Sequence, residues 1–557
     1  MHTHLEALIA ETIARVSESA TGAKIPSEAV EVRATERADH GDYASNTALV
    51  HAKAAGKKPR ELAAALTEAI QGADTDRVFE RIDVAGPGFL NLFLKPETIQ
   101  SALHVLLTQD EAYGRSSFGA GKVIQLEFVS SNPTGPLTVG HGRQAVLGDV
   151  LANLHERLGY AVEREYYFND EGRQVDLLAE SLWVRYRELM GERREIPENG
   201  YQGEYLIDIA KAVRGDVGDA FETFDDDARV AFRKHAVDRM TTQIQGDLAK
   251  LGVHFDAWFS ETTLHRAGAV DAALEELRAR GAIFEEDGAL WLRAEEHGGA
   301  KDSVLIRSDG RPTYLMVDIA YHIDKHARGY DHVIDVQGAD HHAEQSCMKV
   351  AMELLGYEPG WLQYAVHQFV SLKEGGETLK MSTRAGRFVT LHDLIEDLGG
   401  DERGADIVRW FMVSRKPEAH LDFDLDLARS ESQDNPATYV QYAHTRIASI
   451  FRKADFEPSS FAGADLSPLT EPEELDLIKA LDRFPAVIAT AGTEFAPHLV
   501  ADYALQLSRS FHSYYDKHRV LGDNENLTRA RLALLAGLKI VLRESLRILG
   551  MSTPEEM

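Results

Sequence analysis

A chain of 557 residues, 44% hydrophobic and 27% charged, is long enough for about three or four domains. It holds no apolar run of the roughly 20 residues that a membrane span needs. A single cysteine, Cys347, excludes an internal disulfide and any CxxC-type zinc cluster, and the start Met1-His2-Thr3-His4-Leu5-Glu6 is neither a signal nor a transit peptide, so a reducing cytoplasmic location is expected. The formal net charge of -30 repels a polyanion, so any contact with nucleic acid must come from local basic faces.

The first elements are two amphipathic helix patterns, Leu5 to Val16 and Pro59 to Ala73, the second with Pro59 near its start. Between Val78 and Leu94, Phe79, Ile82 and Val84, then Phe89, Leu90, Leu92 and Phe93, mark strands split by Gly86-Pro87-Gly88. Residues 1–108 therefore read as a separate small α+β module.

Val123 to Val129 (VIQLEFV) has the length and β-branched content of a buried parallel strand. It leads into a turn of small residues, Asn132-Pro133-Thr134-Gly135-Pro136-Leu137-Thr138-Val139-Gly140-His141-Gly142-Arg143. From Ala145 to Leu158, the residues Val146, Leu147, Val150, Leu151, Leu154 and Leu158 then recur at helical spacing, closed by Gly159. In a strand, glycine turn and helix unit, the first helical N–H groups point unpaired over the strand's carboxyl end, and the helix dipole favours an anion there. A nucleotide phosphate is the expected guest, with His141 as a side-chain donor; the same turn also serves as a tight connection with no ligand.

Ala161 to Phe168 is a second strand with Asn169-Asp170-Glu171-Gly172 at its carboxyl end. Residues 176 to about 300 break this rhythm with long helical patterns (Leu177 to Met190, Gly203 to Ala212, Val230 to Leu251) and read as an insertion. The nucleotide fold resumes at Ser303-Val304-Leu305-Ile306, followed by a helix on which Tyr314 and Asp318 share a face. The strand His332-Val333-Ile334-Asp335-Val336 then ends in Gln337-Gly338-Ala339-Asp340-His341-His342. Those paired histidines lack cysteines at ligand spacing or an HExxH pattern, so packing or nucleotide contacts are expected there and no structural zinc or other metal site. Leu379-Lys380-Met381-Ser382-Thr383-Arg384-Ala385-Gly386 is a basic, glycine-flanked loop suited to phosphates. From about Leu421 the pattern is helical to the end (436–447, 474–491, 499–515, 528–549), a bundle in which basic residues interleave with tyrosines able to stack bases, although a tyrosine stripe at helical spacing is also what a core presents.

The first turn is similar to the HIGH signature, and the basic loop to the KMSKS signature, of class I aminoacyl-tRNA synthetases. Their order and wide separation match. The pieces His40 to Asn46 and Ala85 to Asn91, the lead-in Asn132 to Pro136, the Tyr314/Asp318 pair and the closing helical domain resemble the arginyl-tRNA synthetases over nearly the full length. That resemblance implies an α/β protein: a small α+β tRNA-contact domain at 1–108, a Rossmann-like catalytic domain at 109–420 with a helical insertion about 176–300, and an all-α anticodon-binding bundle at 421–557. It implies a ligase joining L-arginine to the 3'-terminal adenosine of tRNA(Arg), with ATP as substrate, Mg²⁺ accompanying ATP, a monomeric state, and arginine activation that waits for tRNA.

Carried over by position, His141 and Lys380 would be catalytic, and Thr138, Gly140, His141, Asp340, Lys380, Met381 and Ser382 would bind ATP. Glu127, Asn132, Tyr314, Asp318 and Gln337 would bind arginine, with Asp318 pairing to the planar, five-donor guanidinium. Tyr439, Gln441, Tyr442, Arg446 and Met557 would contact tRNA. Two departures stand out. Thr138 takes the place of the first HIGH histidine, and Thr383 that of the second KMSKS lysine, leaving Arg384 or Arg387 to supply that cation.

Overall fold

The computed structural model describes residues 3–35, 37–73, 78–379, 389–454, 456 and 461–557. At the amino end, strands β1 (Val32–Ala34), β2 (Tyr43–Ser45), β3 (Phe79–Ala85) and β4 (Phe89–Leu94) form an antiparallel sheet in the order β1-β2-β4-β3, backed by the helices His4–Thr21 and Pro59–Ala73. The first helix begins with a capping box between Thr3 and Glu6 and stops at Gly22, in the left-handed region at φ 79°.

This module is bound to the carboxyl-terminal bundle. Asp42 pairs with Lys479 at 2.6 Å, and the backbone N–H groups of His4 and Leu5 donate to the Asp482 carboxylate at 3.1 Å. The helix Pro96–Gln109 spans residue 108, where sequence reading ends the first domain, and its Gln100 amide donates to the Leu469 carbonyl at 2.9 Å.

The central layer is a five-stranded, wholly parallel sheet that begins with β5 (Val123–Glu127), β6 (Ala161–Phe168) and β7 (Ala257–Ser260). After β7 comes an antiparallel three-stranded sheet of β8 (Ile283–Glu286), β9 (Ala289–Leu292) and β10 (Ser303–Ile306). Strands β11 (His332–Gly338) and β12 (Leu362–His367) then complete the order β12-β11-β5-β6-β7. Chain order reverses between β5 and β11, and in doubly wound sheets ligands bind outside the carboxyl ends of the strands at that switch.

The helix Val139–Arg157 follows β5 and begins six residues before the apolar periodicity does. It lies close on the sheet because Gly148 has no side chain: a Cβ there would sit 2.2 Å from the Phe128 ring.

Two expected boundaries move. The insertion is not continuous over 176–300, because β7 belongs to the central sheet; it splits into the helices Arg173–Glu188, Tyr205–Val217 and Asp226–Lys250 before β7 and the small sheet after it. A four-residue strand following a 25-residue helix carries too little alternation to be seen in sequence. The helical inserts have a core of their own around Leu182, Trp183, Phe232 and Met240.

Leu421–Asp424 likewise forms a strand, β15, after β13 (Val370–Glu374) and β14 (Glu377–Thr378). It pairs parallel to β13, so the bundle begins beyond it. The helix expected over 474–491 is two, Pro472–Asp482 and Phe484–Thr493, divided just before Pro485. The last helix, Glu525–Ile548, is buried along most of its length.

Candidate active site

At the end of β5 the backbone turns through left-handed conformations at Val129 (φ 68°) and Ser130 (φ 41°). For a β-branched residue this is costly, and neighbours hold it in place. The Ser130 hydroxyl donates to Glu127 at 2.8 Å and accepts the Tyr167 N–H at 3.2 Å, while the Ser131 N–H donates to the Tyr166 hydroxyl at 3.2 Å. The turn opens a cavity of about 490 Å³ over β5 and β11, lined by Glu127, His141, Asp318, Gln337, Asp340 and His367 among others.

Glu127 and Asp335 are register partners across β5 and β11. Between them stands the fully buried Lys325 ammonium, 2.6 Å from Glu127 and 2.8 Å from Asp335, and His322 adds a contact to Asp335 at 2.9 Å. These partners hold Asp335 down to about 2, whereas burial pushes Glu127 up against the pull of Lys325. Asp318 differs from both. Among the described residues its carboxylate has no hydrogen-bonding or ion-pairing partner, and burial, with Glu127, Glu261 and Glu344 nearby, pushes it up to about 7 despite His322. An acidic side chain without a cation, in a cleft whose other acids are partnered, is complementary to a cationic ligand.

His141 occupies the third position of its helix. The Thr138 backbone N–H donates to its Nδ1 at 3.1 Å, which assigns the ring proton to Nε2. Burial, and His367 nearby, push it down to about 4, so it is a neutral donor at the helix N-terminus. Thr138 is the N-cap residue of this helix and forms an isolated bridge with Thr390, while the Leu391 N–H donates to the Leu137 carbonyl at 2.8 Å. Lys380, Met381 and Ser382 lie outside the described residues.

Gly140 and Asp340 also line the cavity, and Gly338 lets Asp340 fold back: a Cβ on it would meet the Asp340 carboxylate at 2.4 Å. Gln337 accepts from the Gln345 amide at 3.2 Å.

Asn132 is in a second cavity, where it donates to Gln174 at 3.1 Å and accepts the Asn169 N–H at 3.2 Å. Tyr314 is not brought into either lining. As the first residue of its helix it stands 64% exposed, one turn before Asp318, so sharing a face with Asp318 did not place it over the cleft.

On the bundle, Tyr439 and Tyr442 lie half-buried against His512 at 4.9 and 5.8 Å, Arg446 is exposed over Tyr515, and Met557 is 64% exposed. Gln441 corrects the sequence reading. Its amide is buried, donating to Asp406 at 2.6 Å and to the Ser552 hydroxyl at 3.1 Å, so it secures the carboxyl-terminal tail and has no face for RNA.

Sequence reasoning missed the Lys325, Asp335 and His322 cluster, although His322 and Lys325 continue the stripe of Asp318 at helical spacing. It also missed His367, whose buried Nε2 has no partner among the described residues at the end of β12, and the exposed Phe369 beside it in the lining. No signal in the sequence marks the buried Arg143, whose guanidinium donates to the carbonyls of Gln368, Lys416 and Ala419 at 2.6–3.0 Å.

Comparison with known proteins gives the same outline. Family models match in three consecutive parts: the arginyl tRNA synthetase N terminal domain over residues 3–94, the catalytic domain of "tRNA synthetases class I (R)" over 102–409, and the DALR anticodon binding domain over 440–557. An arginine–tRNA ligase of Carboxydothermus hydrogenoformans is 44% identical, over 95% of this chain and 94% of its own. One of Thermotoga maritima is 41% identical over 99% of each. Arginyl-tRNA synthetase of Thermus thermophilus, at 24% identity, shares the fold over 99% of both chains with a TM-score of 0.76. With its parallel sheet switching at β5, its HIGH-like helix start and these matches along the whole length, the chain belongs to the class I arginyl-tRNA synthetases.

Proposed function

We propose that this protein activates L-arginine with ATP and transfers it to the terminal adenosine of tRNA(Arg), with Asp318 as the anchor of the substrate guanidinium. The observation carrying this assignment is the Asp318 carboxylate, unpartnered among the described residues, in a cleft where Glu127 and Asp335 already share Lys325. A guanidinium supplies the missing charge and enough N–H donors for both Asp318 and Gln337.

In the first step an arginine carboxylate oxygen attacks the α-phosphorus of ATP. The bond to the bridging oxygen breaks, and pyrophosphate leaves. In the second, a ribose hydroxyl of the tRNA attacks the acyl carbon, the acyl–phosphate bond breaks, and the hydroxyl proton departs with AMP. Neither step needs a protein nucleophile. The His141 Nε2–H and the first N–H groups of its helix would face the phosphates as neutral donors, and Lys380 would add positive charge.

Among the described residues no group of three or more metal-ligating side chains comes together. Magnesium would accompany ATP as the counterion of its phosphates. The half-buried Tyr439 and Tyr442, with the exposed Arg446 and Met557, would supply the bundle face for tRNA, and the protein would act as a monomer in the cytoplasm.

The test is ATP–pyrophosphate exchange on the purified protein with each amino acid in turn, with and without tRNA(Arg). Exchange with arginine, and dependence on tRNA, is the expected result. Silence under every condition with tRNA binding intact would overturn the catalytic reading.

A further inference from the structure

The acidic cleft has an aromatic wall contributed by β6. Tyr167, next to the last residue of that strand, lines the large cavity and also a narrower pit that shares Glu127, Asp318 and Gln337 with it. Its ring packs on Tyr321 at 4.6 Å and Phe259 at 6.2 Å, and its backbone N–H donates to Ser130 of the strained turn, so the phenol is held in place from behind.

The polarity of this phenol is fixed as well. Its hydroxyl donates to Glu261 at 2.6 Å, the one hydrogen bond it makes among the described residues. Glu261 directly follows β7 and is 9% exposed. Its other oxygen accepts the Asn169 amide at 2.7 Å and stands 3.4 Å from His265 Nε2. The Asn169 amide is itself locked, because its oxygen accepts the Glu171 N–H at 2.9 Å and its nitrogen must therefore face Glu261. Burial, with Glu261 and Asp318 nearby, raises the phenol far above its usual range, so the proton stays on it. A hydroxyl donates once. With that proton committed to Glu261, Tyr167 presents only lone pairs to the cleft.

A guanidinium carries five N–H donors, more than a single carboxylate takes up. An acceptor-only oxygen in the same pit as Asp318 suits one of the remainder.

We propose that Tyr167 is a specificity-determining residue for the amino acid: its phenol oxygen accepts a guanidinium N–H that Asp318 leaves free, and Glu261 and Asn169 are positioning residues that keep it an acceptor. The inference rests on the arginine reading above.

The test compares Tyr167→Phe, Glu261→Gln and the double variant in ATP–pyrophosphate exchange at saturating tRNA(Arg), with urea titrations to select conditions where each is folded. Tyr167→Phe keeps the ring and removes the acceptor. Its kcat/KM for arginine should fall roughly 10- to 150-fold, the value of a hydrogen bond to a charged group, while the KM of ATP stays put. Glu261→Gln keeps the phenol and reverses it. The new amide must turn its oxygen to Asn169, so its nitrogen donates to Tyr167 and the phenol proton points at the guanidinium. This variant should lose more than Tyr167→Phe does, and adding Tyr167→Phe to it should restore arginine use to the Tyr167→Phe level.

Losses of stability alone would not produce that rescue. A Tyr167→Phe protein with the parent's kcat/KM for arginine would overturn the proposal. So would a Glu261→Gln loss smaller than that of Tyr167→Phe and additive with it, which would make the pair a structural contact. A parent that exchanges with no amino acid would overturn the arginine reading itself, a result distinct from both.

Discussion

Replacing Asp318 by asparagine should move two quantities in opposite directions. Keeping this carboxylate ionised above pH 7 without a cation costs the free protein about 4 kcal/mol, taking 1.36 kcal/mol for each pH unit between the ordinary 3.8 and about 7. The sign follows from proton linkage. Below pH 3.8 the group is protonated in both the folded and the unfolded chain and the cost is absent. It grows as pH rises to about 7 and is constant above. Asp318→Asn removes it, so the free variant should be more stable than the parent, by an amount that increases from pH 4 to 7 and then levels off.

Arginine binding should suffer in return. Deleting one partner of a buried charge pair costs about 3–5 kcal/mol, roughly 150- to 5,000-fold in kcat/KM for arginine. In the parent, arginine affinity should rise about fivefold between pH 6 and 7, gain about twofold more by pH 8 and flatten above, as Asp318 ionises. Urea titrations across pH, with arginine kinetics at pH 7.5, check both. A variant that is less stable and binds arginine normally would show Asp318 to be a structural acid and refute the reasoning.

His141→Ala should slow adenylate formation by about 10²- to 10³-fold in single-turnover assays, the usual effect of deleting one preorganised donor. Because His141 stays neutral down to about 4, the parent's rate should show no limb from this group between pH 5 and 8, and a limb near pH 6.5 lost in the variant would contradict the tautomer assigned here. Lys325→Met leaves Glu127 and Asp335 facing each other without their shared cation and should destabilise the fold by about 3–5 kcal/mol in denaturant titrations. Gly148→Ala forces a methyl into the Phe128 ring. It should cost about 1–3 kcal/mol and, by shifting the helix that carries His141, lower activity at temperatures where the protein is still folded.

What the sequence revealed and what it hid divide along physical lines. The β5 strand, the small-residue turn and the helix behind it were legible because their periodicities and glycines are local properties, as were β6, predicted at its observed limits, and the hairpin strands around Gly86-Pro87-Gly88. Strand β7 was hidden because four residues between helices show no alternation, and β15 because its partner β13 lies some fifty residues away. Within the site, Asp318 and His141 were named from motifs, yet their states were not readable: His141 owes its neutrality to burial, and Asp318 its missing partner to where Lys325 points. The opposite error occurred at Gln441, where a polar residue among tyrosines suggested RNA contact, and only the folded tail shows Asp406 and Ser552 consuming its amide.

On the proposed function the cleft has to reconcile two demands, an acidic surface for a cationic amino acid and a non-repelling one for a triphosphate. The structure separates them by partnering. Glu127 and Asp335 share one buried lysine that offsets part of their charge, while among the described residues Asp318 alone of the three has no such partner and is left for the guanidinium. On the phosphate side, the donors described are a neutral histidine and a helix N-terminus. Neither carries a full positive charge, so neither competes with arginine for Asp318.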